Sequence, residues 1–384
     1  MIVLFYTIFS IESIKNLCIK DYYVKILTML VIKDKADTKI TYPIEQIAEK
    51  DKVLFLDIET TGFSRKYCNV YLIGCMYFSG DTPMYAQWLA ENFNEEANVL
   101  MAFHKFIHNF DTIIHFNGNS FDMPFLQERG KKYHLNFNFD KFQSIDLYKP
   151  VSRINHILKL ENQKQKTFEN LLGIKRTDPF SGGDLIEVFK QYVESKDERL
   201  IFPLLLHNRE DVWNMGELVS LLSISDLFNG KFKVSNYEIK DFKNIEGDAE
   251  QELRISLELE NAIPIPVSYS YNGIYLRVNS TKTDISIKIK NRTYKYFFDN
   301  YNDYYYLPLE DKAMHKSVAG FVDRKYRKQA TAATCYEKFS GAFLPVFQLD
   351  NEAFTQLFKE SNKDKTGFIK TDFICNDNIY DYTC

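Results

Sequence analysis

Val53-Leu54-Phe55-Leu56-Asp57-Ile58-Glu59-Thr60-Thr61-Gly62 is the stretch from which the rest of the chain is read. Val53–Ile58 is an almost unbroken apolar run of strand length, as expected for a central strand buried on both faces. Asp57 and Glu59 stand at i and i+2, so on a strand they share one face. Burying two like charges side by side costs several kcal/mol unless a cation compensates them. Thr60-Thr61-Gly62 then lets the backbone turn.

Working outward, Tyr71–Phe78 and Tyr85–Leu89 read as two more strands around the turn-like Ser79-Gly80-Asp81. Short links between three successive strands predict an antiparallel meander. Val99, Phe103, Phe106, Ile107 and Phe110 recur at helical spacing. Thr112–Phe116 follows as a strand, Phe121–Tyr133 as a helix and Phe142–Leu147 as a fifth strand. Gly183–Glu194 and Leu200–Leu222 read as helices, the second interrupted near Pro203. The fold class is therefore α/β, a mixed five-stranded sheet flanked by helices. A boundary is expected at Asn229–Val234. Beyond it Ile263, Ile265, Val267, Tyr269 and Tyr271 alternate up to a hairpin turn at Asn272-Gly273. Ile274, Leu276 and Val278 continue the pattern, as do Ile285, Ile287 and Ile289, with a turn near Asn291. This predicts a smaller, mainly antiparallel β domain, closed by a helix around Glu352–Glu360. The expected organisation is an N-terminal extension and lead-in strand over 1–49, an α/β domain over 50–230, and a β-rich domain over 235–384.

Composition narrows the function classes. The 384 residues are 45% hydrophobic and 26% charged, which fits a folded chain and not a disordered one. No apolar run approaches the roughly 20 residues of a membrane-spanning helix. A net charge of −4 excludes a basic nucleic-acid coat, so a polyanion would be held by local basic patches or bound metal. Cys18, Cys68, Cys75, Cys335, Cys375 and Cys384 are scattered without a Cys-x-x-Cys pair. That disfavours a disulfide framework or structural zinc and favours a reducing cytoplasm. Met1–Phe9 lacks the basic start and cleavage site of a signal peptide. Met29, just before the strand-like Leu30–Ile32, is a candidate natural start, the alternative being an ordinary N-terminal element.

Two further stretches carry chemistry. In Asn117-Gly118-Asn119-Ser120-Phe121-Asp122, Asp122 falls at a helix start just after a strand end. Ligands gather at such ends, although a capping aspartate is the commoner use. In His207-Asn208-Arg209-Glu210-Asp211, His207 and Asp211 share one face of an otherwise apolar helix. Asp57, Glu59, Asp122 and Asp211 together would carry −4, which two divalent cations balance. Oxygen donors suit Mg2+ or Mn2+. Two such ions about 3.5–4 Å apart activate water and stabilise a leaving oxygen in phosphodiester cleavage. His104 and His108 are i and i+4 but have no evident third ligand, so zinc is not expected there. No phosphate-binding Gly-x4-Gly-Lys-Ser/Thr loop and no Gly-x-Ser-x-Gly elbow occur. Arg324-Lys325-Tyr326-Arg327-Lys328 is the densest basic cluster. It reads as a solvated surface segment or as a nucleic-acid contact in which Arg324, Lys325, Arg327 and Lys328 meet phosphates. Tyr301 and Tyr304–Tyr306 read as strand packing or a stacking surface.

The three stretches together resemble the motifs of the DEDD exonucleases, which are ribonuclease H-like nucleases. Leu171-Leu172-Gly173-Ile174-Lys175-Arg176, Asp178 and Ser181-Gly182-Gly183 are similar to the YprB-type branch, and the resemblance spans about residues 50–225. It implies a sheet whose first three strands are antiparallel and whose last two run parallel to the first. It implies Asp57, Glu59, Asp122 and Asp211 as metal ligands, with His207 orienting or deprotonating the attacking water. It also implies a nucleic-acid contact at Thr60, a role for Asn117 in fixing the second motif or contacting the nucleic-acid backbone, and an accessory or merely strand-ending role for Asp146. One departure stands out. Related enzymes place Tyr four residues before the last Asp, or His five before it, whereas here His stands at four, rotated by about 100° from the five-residue case. The implied activity is metal-dependent hydrolysis of single-stranded DNA or RNA from a 3′ end, using two divalent cations. The alternatives are an inactive nucleic-acid-binding module, a structure-specific endonuclease, or a proofreading subunit of a polymerase.

Overall fold

The expected meander is present in the computed structural model, which describes residues 29–347, 354 and 356–383. β1 (Met29–Lys35), β2 (Val53–Thr60), β3 (Val70–Ser79), β4 (Thr82–Ala90), β5 (Thr112–His115) and β6 (Gln143–Asp146) form one sheet. Its order is β1-β4-β3-β2-β5-β6. β2, β3 and β4 pair antiparallel, while β5 runs parallel to β2 and β6 parallel to β5. The five expected strands are joined by a sixth, because the lead-in segment pairs antiparallel with β4 at the sheet edge, Leu30 opposite Leu89. Met29 and Leu30 are buried there, but Lys33 and Lys35 are exposed, which leaves only a faint apolar signal in the sequence.

Helices cover the sheet: α1 (Glu96–Ile107), α2 (Asp122–Lys132), α3 (Tyr148–Arg153), α4 (Asn155–Leu158), α5 (Gln165–Leu172), α6 (Gly182–Ser195), α7 (Ile201–Leu218) and α8 (Leu222–Phe228). α1 buries Val99, Leu100, Phe103 and Ile107 in the core that also holds Leu54, Leu56, Tyr71 and Trp88. Ser181 starts α6 with a reciprocal cap to Asp184, and Phe189 of that helix stacks on Tyr71 at 4.2 Å between ring centroids. Pro203 does not interrupt α7. It is the third helical residue, where the backbone nitrogen would have no helical partner in any case. The helix expected to reach Leu222 instead ends at Leu218, and one 3₁₀ turn, Val219–Leu221, leads into α8. α3, α4 and α5 were not expected, being too short to show a period.

The chain divides into two compact units. The first ends at Ser225 and also takes in Ile263–Ile265; the second begins at Asp226. In the second, β7 (Phe232–Lys243), β8 (Ala249–Tyr271) and β9 (Ile274–Lys288) form a three-stranded sheet. Asn272 and Gly273 link β8 to β9 with φ of 50° and 84°, the left-handed pair that a two-residue hairpin needs. Lys290–Phe297, Tyr336–Val346, Gly367–Lys370 and Phe358–Lys359 close a small barrel. Asn291 thus lies within a strand and not in a turn. The expected helix around Glu352–Glu360 is not formed at its far end, where Phe358–Lys359 pairs with Tyr296 and Lys295. Residues 352, 353 and 355 of that segment, and the Met1–Phe9 stretch, lie outside the described residues. Among the described residues no helix is long and apolar enough to cross a membrane.

Candidate functional site

β2 carries Asp57 and Glu59 past the end of its parallel neighbour. Its pairing with β5 stops at Phe55 opposite Ile114. The Ile58 amide donates instead to Asp122 Oδ1 at 3.1 Å. Asp122 is the first residue of α2 and is buried, so its side chain reaches from the helix start to the neighbouring strand.

Asp57 is fixed from the other side by a residue that the sequence reading passed over. Asn208 Nδ2 donates to Asp57 Oδ2 at 2.8 Å, and Gln87 Nε2 donates to Asn208 Oδ1 at 2.9 Å and to the Leu205 carbonyl at 3.0 Å. Asn208 fits because Gly74, opposite Asp57 on β3, has no side chain. A Cβ there would lie 1.9 Å from Asn208 Oδ1. A lone glycine inside an apolar strand is the available signal for such a close approach.

His207 sits on α7 beside Asn208 and is 4% exposed. Its Nδ1 donates to Asp178 Oδ2 at 2.5 Å, while its Nε2 lies 3.3 Å from Asp211 Oδ2 and 3.8 Å from Glu59 Oε1. One donor atom each from Glu59, His207 and Asp211 lies within 4.8 Å of the others, a set able to hold a metal ion. Asp178 is itself held, its Oδ1 by the Phe180 amide at 3.0 Å and its Oδ2 by Lys166 Nζ at 3.0 Å. Arg176 Nη1 donates to Asp211 Oδ1 at 2.5 Å and to both oxygens of fully buried Glu169 at 3.0 Å. The sequence marked Arg176 and Asp178 only as part of a resemblance, whereas folding gives each a partner in the site.

The carboxylates behave as one electrostatic group. Burial raises Asp57 well above the usual carboxylate range, and the charges of Asp211, Glu59 and Asp122 add to it. Burial lifts Glu59 to about 8, partly relieved by His207. It lifts Asp122 to about 7, partly relieved by the Ile58 amide. Burial also pushes Asp178 up, but its bonds to His207, Phe180 and Lys166 prevail and hold it at about 2. For His207, burial disfavours the charge, yet the bond to Asp178 and the charges of Asp211 and Glu59 outweigh it and raise the imidazole. Acids that raise one another in this way are the environment that a bound cation relieves.

The remaining expected residues have distinct places. Asn117 has φ 60° and an exposed side chain, and its amide donates to Asp146 Oδ1 at 2.8 Å. Asp146 also accepts from the Tyr148 amide at 3.1 Å, so it shapes the loops at its strand end. His115 Nδ1 accepts from the Gly118 amide at 2.9 Å, and its Nε2 lies 2.9 Å from Ser144 Oγ, which donates to Asn119 Oδ1 at 2.8 Å. Thr60 is buried and donates its hydroxyl to the Gly62 carbonyl at 2.9 Å, forming the turn out of β2. The loop after it exposes Phe63 (88%) and Tyr67 (78%). That loop meets the loop before α2 through Arg65 Nη2 to the Ser120 carbonyl, 2.5 Å, and Phe63 edge-on to Phe121 at 6.4 Å.

His104 and His108 touch ring to ring at 4.8 Å but form no three-residue metal cluster among the described residues. In the second unit Arg324, Lys325 and Lys328 are exposed. Arg327 is committed internally, donating to the Ala319 carbonyl at 2.5 Å with its guanidinium 4.7 Å from the Tyr305 ring centroid. Tyr304 stacks on Phe298 at 4.6 Å and Tyr306 donates to Asp311 at 2.6 Å, which is strand packing.

Residues 54–223 match the family model described as RNase_H superfamily. No curated protein matches the chain in sequence. Among solved structures, the family B DNA polymerase of the hyperthermophilic archaeon Pyrobaculum calidifontis is 18% identical with a TM-score of 0.37, covering 44% of this chain and 24% of the polymerase. The zinc-ion-bound E. coli ExoI–ssDNA complex is 13% identical with a TM-score of 0.27, covering 55% of each chain. E. coli exonuclease I with a dT13 oligonucleotide is 10% identical with a TM-score of 0.27, covering 54% of each chain. The match thus spans about a quarter of the polymerase and little more than half of exonuclease I. At such identities and scores these likenesses decide nothing about this chain's chemistry.

Proposed function

From an RNase H-like fold over residues 54–223, we propose that this protein is a divalent-metal-dependent nuclease that hydrolyses phosphodiester bonds of single-stranded DNA or RNA, working from a 3′ end. The observation that carries the reading is the convergence of Asp57, Glu59, Asp122 and Asp211: the charge of Asp211 adds to the raised proton affinity of each of the other three. Oxygen donors in that number fit Mg2+ or Mn2+. Two such ions, when bound, supply water activation and stabilisation of the leaving oxygen. The chain's own residues prepare the place. Asn208 and Ile58 hold Asp57 and Asp122, and Arg176 holds one oxygen of Asp211 while leaving the other toward His207. Phe63 and Tyr67, exposed on the loop directly after Glu59 and Thr60, offer faces on which unpaired bases stack, which favours a single strand.

A second reading is an inactive nucleic-acid-binding module, favoured by the Arg176 cation already paired with Asp211. Asp57→Asn separates the two. It removes a ligand charge with little change in shape, so it should abolish cleavage of a labelled single strand while leaving the thermal transition in place. Normal turnover by this variant would remove Asp57 from the mechanism. Cleavage of linear but not circular single strands marks the exonuclease, and cleavage of both the endonuclease.

A further inference from the structure

We propose that His207 binds the divalent cation directly, through Nε2 and together with Glu59 and Asp211, and that Asp178 is the positioning residue that holds its ring for this. The inference rests on the reading of the centre as metal-dependent, and it replaces the expected role of His207 as the base for water.

The tautomer comes first. A carboxylate accepts from Nδ1 at 2.5 Å, so the neutral ring carries its proton on Nδ1 and its lone pair on Nε2. Asp178 cannot easily turn away, because the Phe180 amide and Lys166 Nζ hold both of its oxygens. A metal-bound histidine characteristically donates its other ring N–H to a carboxylate in this manner.

The surroundings of Nε2 come next. It faces Asp211 Oδ2 at 3.3 Å and Glu59 Oε1 at 3.8 Å in a site only 4% exposed at the histidine. Three lone-pair-bearing atoms within 4.8 Å of one another repel unless a cation or proton stands between them. Donors each about 2.0–2.2 Å from one ion stand at most about 4.4 Å apart; both separations from Nε2 lie inside that limit, and all three donor atoms lie within 4.8 Å of one another. A base for water would need Nε2 turned toward a free water position, whereas here two carboxylate oxygens take up its approach.

The chemical consequence is a change of preferred ion. Mg2+ favours oxygen-only, near-octahedral surroundings and gives up its waters reluctantly. Imidazole nitrogen is a better partner for transition ions. The centre should therefore bind Mn2+ more tightly than Mg2+.

The test uses the full chain and Mn2+ alone, with no substrate. Pulsed electron paramagnetic resonance of bound Mn2+ should show coupling to an imidazole nitrogen in the unaltered protein. His207→Gln should lose that coupling. Asp178→Asn should lose or weaken it, with Mn2+ affinity by calorimetry falling about 10- to 100-fold. Competition should show Mn2+ preferred to Mg2+. Mn2+ bound without nitrogen coupling, or coupling that persists in His207→Gln, overturns the ligand role and leaves the nuclease reading standing. Unchanged coupling and affinity in Asp178→Asn overturns the positioning role. If the folded protein binds neither Mn2+ nor Mg2+, the metal-dependent reading falls and this inference with it. The first measurement needs no variant, so it stands even if a substitution prevents folding.

Discussion

Gly74→Ala is the perturbation whose cost depends most sharply on one neighbour. The new Cβ would lie 1.9 Å from Asn208 Oδ1, 2.7 Å from its Cγ and 2.9 Å from its Nδ2, all closer than non-bonded atoms approach. Gly74 does not occupy the left-handed region, so alanine brings no backbone strain of its own. The Asn208 side chain must therefore move, and it cannot do so without giving up the 2.8 Å bond to Asp57 and the 2.9 Å bond from Gln87. Losing these buried hydrogen bonds costs about 1–3 kcal/mol. Overpacking adds about 1–3 kcal/mol. The expected destabilisation is about 2–6 kcal/mol. Asn208→Ala alone loses the same bonds without the clash, at about 1–3 kcal/mol. In that background the Gly74 methyl enters vacated space, and its cost should fall below about 0.5 kcal/mol. Urea denaturation followed by tryptophan fluorescence measures the unaltered protein and the three variants of this cycle. The protein has two tryptophans, and Trp88 on β4 and Trp213 on α7 both lie in the first unit, so the signal reports on the unit that holds the site. An equal cost of Gly74→Ala in both backgrounds would refute the reasoning.

Two further outcomes are expected. Burial pushes the His115 imidazole down to about 4, with nearby Asp146 only partly opposing it. Below its ordinary value of about 6.5 the unfolded chain takes up a proton that the folded chain refuses, so this contribution is complete above that pH and is lost as pH falls toward 4. Between pH 7 and pH 5 it amounts to about 2 kcal/mol by that linkage. The difference in unfolding free energy, from urea titrations, between the native protein and His115→Gln should change by that amount over the interval, and a constant difference would sink the assignment. Arg176→Met leaves Glu169 buried without its cation and should cost about 3–5 kcal/mol, with Arg176→Lys recovering only part because it cannot span both Glu169 oxygens and Asp211. A loss below about 1 kcal/mol in thermal or urea unfolding would show that the network contributes little.

Much of the first unit was legible from periodicity. The apolar run ending in Asp57 and Glu59, the meander after it, and the helices bearing Asp122 and Asp211 all form close to their expected positions. The Asn272-Gly273 hairpin formed as well, since a two-residue turn depends on its own two residues. The errors are of another kind. The lead-in strand is expected at Leu30–Ile32, but its pairing as the sixth strand at the sheet edge is not, because an edge strand buries only part of its length. Pro203 was misjudged because its effect depends on where α7 begins, and that start is set by packing. The bonds of Thr60 to the Gly62 carbonyl and of Arg327 to the Ala319 carbonyl, the latter with its guanidinium against Tyr305, are contacts that a linear reading does not show.

What the sequence determined by itself was the inventory: which segments alternate with period two or 3.6, and which of them carry carboxylates on an apolar face that would not tolerate them alone. Those are local properties, settled by neighbours a few residues away. The tertiary structure decided the company each group keeps. Asp178 meets His207 across 29 residues, Arg176 meets Asp211 across 35, and Asn208 meets Asp57 across 151. A side chain's tautomer and charge depend on atoms within a few ångströms, and only the packing of α7 against β2 and β3, with Gly74 leaving room, decides which atoms those are.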